Sequence, residues 1–142
     1  LLVDRACMDL VRWPESFDVI VASNLFGDIL SDIAAVVTGS MGLAASANIN
    51  PDREYPSMFE SVHGAAFDIA GKNLANPLAT ISAVALMLDH LGEPQSAQRV
   101  EAAVAHSLAE RKVITRDLGG TASTAQVGDE IVRLLGEAWR AR

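Results

Sequence analysis

The stretch Met58-Phe59-Glu60-Ser61-Val62-His63-Gly64-Ala65-Ala66-Phe67-Asp68-Ile69-Ala70-Gly71-Lys72, closed by Asn76-Pro77, constrains the fold of this chain more than any other. Ser57 to Glu60 reads as a short strand, two glycines interrupt the segment after it, and Asn76-Pro77 opens a long apolar helix to about Leu91, with Pro77 suited to its first turn. A loop of this kind between a strand and a helix can cradle a nucleotide. Gly64 and Gly71 allow close backbone approach, His63 offers a flat ring beside a base, and Asp68 can accept hydrogen bonds from both ribose hydroxyls. An acidic residue at that position selects NAD, because a 2′-phosphate would be repelled. Taken singly, His63 also fits a buried histidine satisfied by backbone, and Asp68 a turn carboxylate.

A second signal stands upstream. Phe26-Gly27-Asp28-Ile29-Leu30-Ser31-Asp32 opens a helix, and the i, i+4 spacing of Asp28 and Asp32 projects both carboxylates from one face. A magnesium or manganese ion takes several oxygen ligands, including water and substrate oxygens, so such a pair makes half a site. The same residues also fit acidic side chains stabilised by the dipole near a helix N-terminus.

The rest of the chain alternates strand and helix. Leu1 to Val3 reads as the end of a strand, and Arg5 to Arg12 as a helix stopped by Pro14. Phe17-Asp18-Val19-Ile20-Val21-Ala22, β-branched with little alternation, reads as a buried parallel strand. A helix from Gly27 through Val37 is broken by Gly39 and Gly42, and Gly42 to Tyr55 is loop-like. Two more helices are expected: Gln95 to Glu110, amphipathic through Val100, Ala103, Val104 and Leu108, and a last one capped by Ser123 or Thr124. The last buries Ile131, Val132, Leu134 and Leu135, and Thr115 to Gly120 is a loop or short strand. These proportions say α/β. Cys7 belongs to a core, His90 and His106 lack ligand-spaced partners and are structural or surface residues, and Trp13 and Trp139 are anchors. Tyr55, before Pro56, suits packing.

With 142 residues, 50% hydrophobic and 20% charged, the chain can bury a sizeable core and is not disordered. A net charge of −7 without a basic run argues against a duplex nucleic-acid partner, and no apolar run approaches the ~20 residues of a membrane span. The single cysteine, with no secretory segment, sets the expectation of a cytoplasmic protein. Opening at Leu1 inside an expected strand, the sequence reads as a fragment, a cleaved product or part of a larger chain.

Phe26 to Asp32 and Met58 to Lys72 with Asn76-Pro77, in this order and separation, resemble the NAD(P)-dependent β-decarboxylating dehydrogenases, which comprise the isocitrate, isopropylmalate and tartrate/D-malate enzymes. The resemblance begins at Val3-Asp4, reaches at least Thr124, and corresponds to the C-terminal part of such an enzyme. It implies an α/β fold, the C-terminal part of the isocitrate/isopropylmalate dehydrogenase-like fold, with a mixed sheet flanked by helices. Residues 1–42 would belong to the central dimer-forming domain carrying the metal carboxylates, and 43–142 to the nucleotide-binding large domain. Composition alone would not divide the chain.

The resemblance also implies roles. Asp4, otherwise an ordinary helix cap, would reach across a homodimer with a shared active site to the metal held by Asp28 and Asp32 of the other subunit. Asn76 would meet adenine, and Glu60 the neighbourhood of the nicotinamide. NADP-using relatives carry lysine then tyrosine where this chain has Asp68-Ile69. Ser61, Ala65 and Phe67 replace the usual Pro, Ser and Pro, which loosens the loop and removes a hydroxyl near the phosphates at Ala65. These departures bear on cofactor affinity rather than identity. No catalytic residue is expected here, because the family's general-base lysine, proton-donor tyrosine and substrate-gripping arginines lie upstream.

The implied activity is NAD- and Mg2+- or Mn2+-dependent oxidation and decarboxylation of a small 2-hydroxy acid, with this chain alone inactive. Asn50 to Phe59 and Leu86 to Leu91 look closest to the tartrate/D-malate branch, with 3-isopropylmalate dehydrogenase as the alternative. An alternative of another class is a truncated, non-catalytic nucleotide-binding module.

Overall fold

In the computed structural model, helix α1 (Val3–Arg12) turns Ala6 and Leu10, one helical turn apart, toward Leu30 of helix α2 (Asn24–Val37), and Cys7, Phe17 and Ile33 close around them. Residues 1–140 are described, apart from the side chains of Ala138 and Trp139, so the anchoring expected of Trp139 lies outside the described residues. Pro14 ends α1 by starting a 3₁₀ turn, Pro14–Ser16. The Arg12 guanidinium lies 4.5 Å from the centre of the Trp13 ring, a cation–π contact at a half-exposed site.

Two expected strands are not formed. Leu1 to Val3 leads straight into α1, which begins at Val3. Phe17 to Ala22 is irregular, with Val19 82% and Val21 93% exposed. β-branched composition expresses a fit to a half-buried pleated surface, and a strand also needs a neighbour for its N–H and C=O groups. Among the described residues no segment pairs with this one.

The chain divides into two compact units, Leu1–Met41 and Gly42–Arg142. The second contains the sheet, two antiparallel strands β1 (Ala45–Asn48) and β2 (Met58–Ser61), in register from Ala45 opposite Ser61 to Asn48 opposite Met58. β1 falls where a loop is expected. Its Ala-Ser-Ala-Asn sequence has no strand pattern, and pairing with β2 makes it one. Both strands pack on helix α3 (Leu78–His90), which packs on α4 (Pro94–Glu110), which packs on α5 (Thr124–Arg140). Leu78, Ala103, Val104, Val127, Ile131 and Leu134 form the core. Val132, expected inside, is 70% exposed, because one residue on from Ile131 the helix has turned by about 100°.

Two helix starts agree with their sequence signals, while Pro77, expected in the first turn of α3, precedes it as the N-cap, and α2 begins at Asn24 rather than Gly27. Ser123 accepts the Gln126 N–H on Oγ at 3.2 Å while Gln126 Oε1 accepts the Ser123 N–H at 2.9 Å, a reciprocal capping box. Pro94 occupies the first turn of α4. At the C-terminal end of α3, His90 Nε2 lies 3.2 Å from Ser57 Oγ, and its carbonyl accepts from Arg53 Nη2 at 2.7 Å. His90 is thus structural, while Tyr55, expected to pack, is 74% exposed. No described helix is long and apolar enough to cross a membrane.

Candidate functional site

The first candidate group lies in the first unit. Asp28 and Asp32 stand one turn apart on α2, both exposed, and neither makes an ion pair among the described residues. Their carboxylates are hard oxygen donors of the kind a small divalent cation takes. Asp4 sits in the first turn of α1, exposed, with Oδ1 accepting the Arg5 N–H at 2.8 Å. It does not join the pair: among the described residues no three His, Cys, Asp or Glu side chains gather where a metal could be held. The residues fit a two-carboxylate contribution to a metal site.

The second group runs from β2 to α3 in the second unit. Glu60 lies on β2 opposite Ser46 and is exposed. His63 is half-buried, with Nδ1 3.1 Å from the Gly64 carbonyl, a bond that puts the neutral ring's proton on Nδ1. Gly64 and Ala65 are exposed, and a Cβ added at Gly64 would meet nothing within 4 Å, so this glycine leaves the loop surface open. Gly71 supplies a left-handed conformation at φ 73°, whereas Ala66 at φ 44° and Asn73 at φ 57° adopt that region without being glycine.

Asp68 is exposed at the crest. The nearby lysine does not neutralise it: Lys72 Nζ donates instead to the Asp68 main-chain carbonyl at 2.7 Å. The carboxylate itself makes no ion pair among the described residues and suits the two hydroxyls of a ribose.

The end of the loop is fixed by bonds to residues distant in sequence. Asn76 is buried at 7% exposure; its Oδ1 accepts the Leu78 N–H at 3.0 Å and its Nδ2 donates to Asp117 Oδ2 at 3.0 Å. Asp117 lies in a 3₁₀ turn, Arg116–Leu118, and its Oδ1 accepts from the hydroxyl of fully buried Thr115 at 2.5 Å. Thr124 Oγ1 donates to the Ala75 carbonyl at 2.5 Å, and Asn73 Oδ1 accepts the Ala125 N–H at 3.0 Å, so the loop rests on the first turn of α5. Sequence reasoning misses Asn73, Thr115 and Asp117, and reads Thr124 only as a candidate helix cap. The one available signal is the Thr-x-Asp pattern before Gly119-Gly120, which on its own indicates no more than a turn.

The chain belongs to the isocitrate/isopropylmalate dehydrogenase family, whose model matches residues 1–131. It is 52% identical over 137 residues to the 3-isopropylmalate dehydrogenase of Thermobifida fusca, covering 96% of this chain and 38% of that protein. To a probable tartrate dehydrogenase/decarboxylase of Agrobacterium vitis it is 50% identical over 131 residues, covering 92% of this chain and 36% of that one. Among solved structures it is similar to isocitrate dehydrogenase from Methylococcus capsulatus, with a TM-score of 0.89 and 47% identity over 95% of this chain and 40% of that one. The chain therefore spans less than two-fifths of the length of these curated relatives. Its helix-rich α/β architecture with one small sheet is the C-terminal part of the isocitrate/isopropylmalate dehydrogenase fold.

Proposed function

We propose that this chain supplies the metal carboxylates and the nucleotide loop of an enzyme that oxidises and decarboxylates a small 2-hydroxy acid, using NAD and a magnesium or manganese ion. The observation that carries this reading is that Asp28, Asp32 and Asp68 all stand exposed without an ion pair among the described residues, each at a position where its charge would meet a cation or a ribose. On this reading residues 1–42 belong to a central, dimer-forming domain and 43–142 to the nucleotide-binding domain. Asp4 serves the metal site of a second subunit.

When bound, the cation supplies Lewis acidity and NAD a hydride acceptor. The chain's own residues bind and orient. Asp28 and Asp32 hold the cation by charge, Asp68 fixes the ribose and disfavours a 2′-phosphate, and Glu60, His63, Gly64 and Ala65 line the approach from β2. Asn76 anchors the adenine end. A base to take the hydroxyl proton and an acid to return one lie outside this chain, so the chain by itself does not turn over substrate. The substrate is of the tartrate/D-malate type, on the likeness of Asn50 to Phe59 and Leu86 to Leu91. A 3-isopropylmalate substrate is the second reading, supported by relatives of that name at similar identity.

The test is a chimera carrying this chain in place of the matching segment of the Thermobifida fusca relative. NADH formation should require manganese or magnesium, and Asp28→Asn should raise the manganese needed by about tenfold or more, since one of the two anionic ligands that α2 supplies is lost. An unchanged metal requirement would remove the assignment of α2. The 142 residues alone should form no NADH from D-malate, tartrate or isopropylmalate, and turnover there would place the catalytic groups inside this chain.

A further inference from the structure

Buried Asn76 has both ends of its amide committed. The Leu78 N–H can meet only the oxygen, and an ionised carboxylate, which only accepts, can meet only the nitrogen. Two bonds therefore choose between the two amide orientations, and each ties residue 76 to a different element: Leu78 to the start of α3, Asp117 to the Arg116–Leu118 turn. Asp117 is itself held, by the Thr115 hydroxyl at 2.5 Å. The packing leaves no slack, because a Cβ at Gly42 would come within 2.7 Å of Asn76 Cβ and 2.9 Å of Asp117 Oδ2.

We infer that Asp117 is a positioning residue for adenine-nucleotide binding, holding Asn76 in one orientation at the junction between the loop and α3. The inference rests on the proposed reading that Asn76 anchors adenine. The role needs an acceptor aimed at Asn76 Nδ2. Asparagine at 117 could keep its oxygen toward Asn76 and turn its NH2 to the Thr115 hydroxyl, which can accept. Alanine cannot.

The experiment measures NAD and ADP-ribose binding to the 142-residue chain by calorimetry, with thermal unfolding of each variant alongside. Asp117→Ala should weaken both ligands by about tenfold, the worth of one oriented polar contact, while Asp117→Asn stays within about threefold of wild type. In an Asn76→Ala background, Asp117→Ala should weaken binding by no more than about twofold further, because the effect travels through residue 76. Thr115→Val, which loosens Asp117 without removing it, should give a smaller loss and serves if Asp117→Ala does not fold. A merely structural role would lower the unfolding midpoint and leave the affinity of the folded protein unchanged. That result, or additive losses in the double variant, overturns the inference. A wild-type chain that binds neither NAD nor ADP-ribose overturns the nucleotide reading itself, and the inference with it.

Discussion

Ser57 Oγ stands 3.2 Å from His90 Nε2 and also accepts the Asn50 N–H at 3.0 Å, so one hydroxyl joins the β1–β2 connection to the last turn of α3. Ser57→Ala removes both bonds and strands an amide. The expected loss is about 1–2 kcal/mol, read by chemical denaturation, with faster hydrogen exchange at Asn50. Unchanged exchange at Asn50 would show that the connection is held elsewhere.

On the proposed reading, cofactor choice depends on the charge at Asp68. A 2′-phosphate at hydrogen-bonding distance from that carboxylate would cost several kcal/mol in a partly desolvated site, so NAD should bind far more tightly than NADP. Asp68→Lys should narrow the gap. Equal affinity of the unaltered chain for the two cofactors would refute the assignment.

The acid limb of stability should carry the mark of α5. Hydrogen bonds from Arg133, at 2.7 Å to each Glu130 oxygen, hold the Glu130 carboxyl below its ordinary value of 4.5. A carboxyl lowered on folding contributes stability that is fully present above its unfolded value and is lost as pH falls through the folded one. Glu110, lowered by its hydrogen bond from Lys112, acts in the same direction. Stability should therefore fall as pH drops below about 4.5, and Arg133→Gln should flatten that fall. Denaturation midpoints for the two proteins, taken from neutral pH into the acid range, would decide it.

Two glycines should respond in opposite senses. At Gly120 a Cβ would lie 2.0 Å from the Ile114 carbonyl oxygen, main chain that cannot step aside, so Gly120→Ala should cost about 3 kcal/mol or more. At Gly128, inside α5, nothing lies within 4 Å, so Gly128→Ala should add about 0.5–1 kcal/mol by lowering the entropy of the unfolded chain. Unfolding midpoints of the pair test both.

Local signals carry the helices. Pro14, Pro94 and the Ser123–Gln126 box sit at the ends they mark, and the apolar spacing finds Ala103, Val104, Ile131 and Leu134 in the core. What depends on distant pairing is not legible. β1 exists because β2 lies opposite, and Val19 to Val21 finds no ladder among the described residues despite a composition that favours one. The candidate site divides in the same way. Asp28, Asp32 and Asp68 can be named as candidates from residue type and spacing, whereas the bond from Asn76 to Asp117 crosses 41 residues and leaves no periodic trace.

The irregular run at Val19 to Val21 bears on practical work with this polypeptide. Three β-branched side chains, 82%, 43% and 93% exposed, are carried on backbone outside the ladder of the described residues, and Asp18 is the one charge beside them. Such a segment can recruit its own copy into an intermolecular ladder, so solubility should decline with concentration faster than a net charge of −7 alone suggests. A lysine in place of Val21 would act as a gatekeeper without touching either group of site residues.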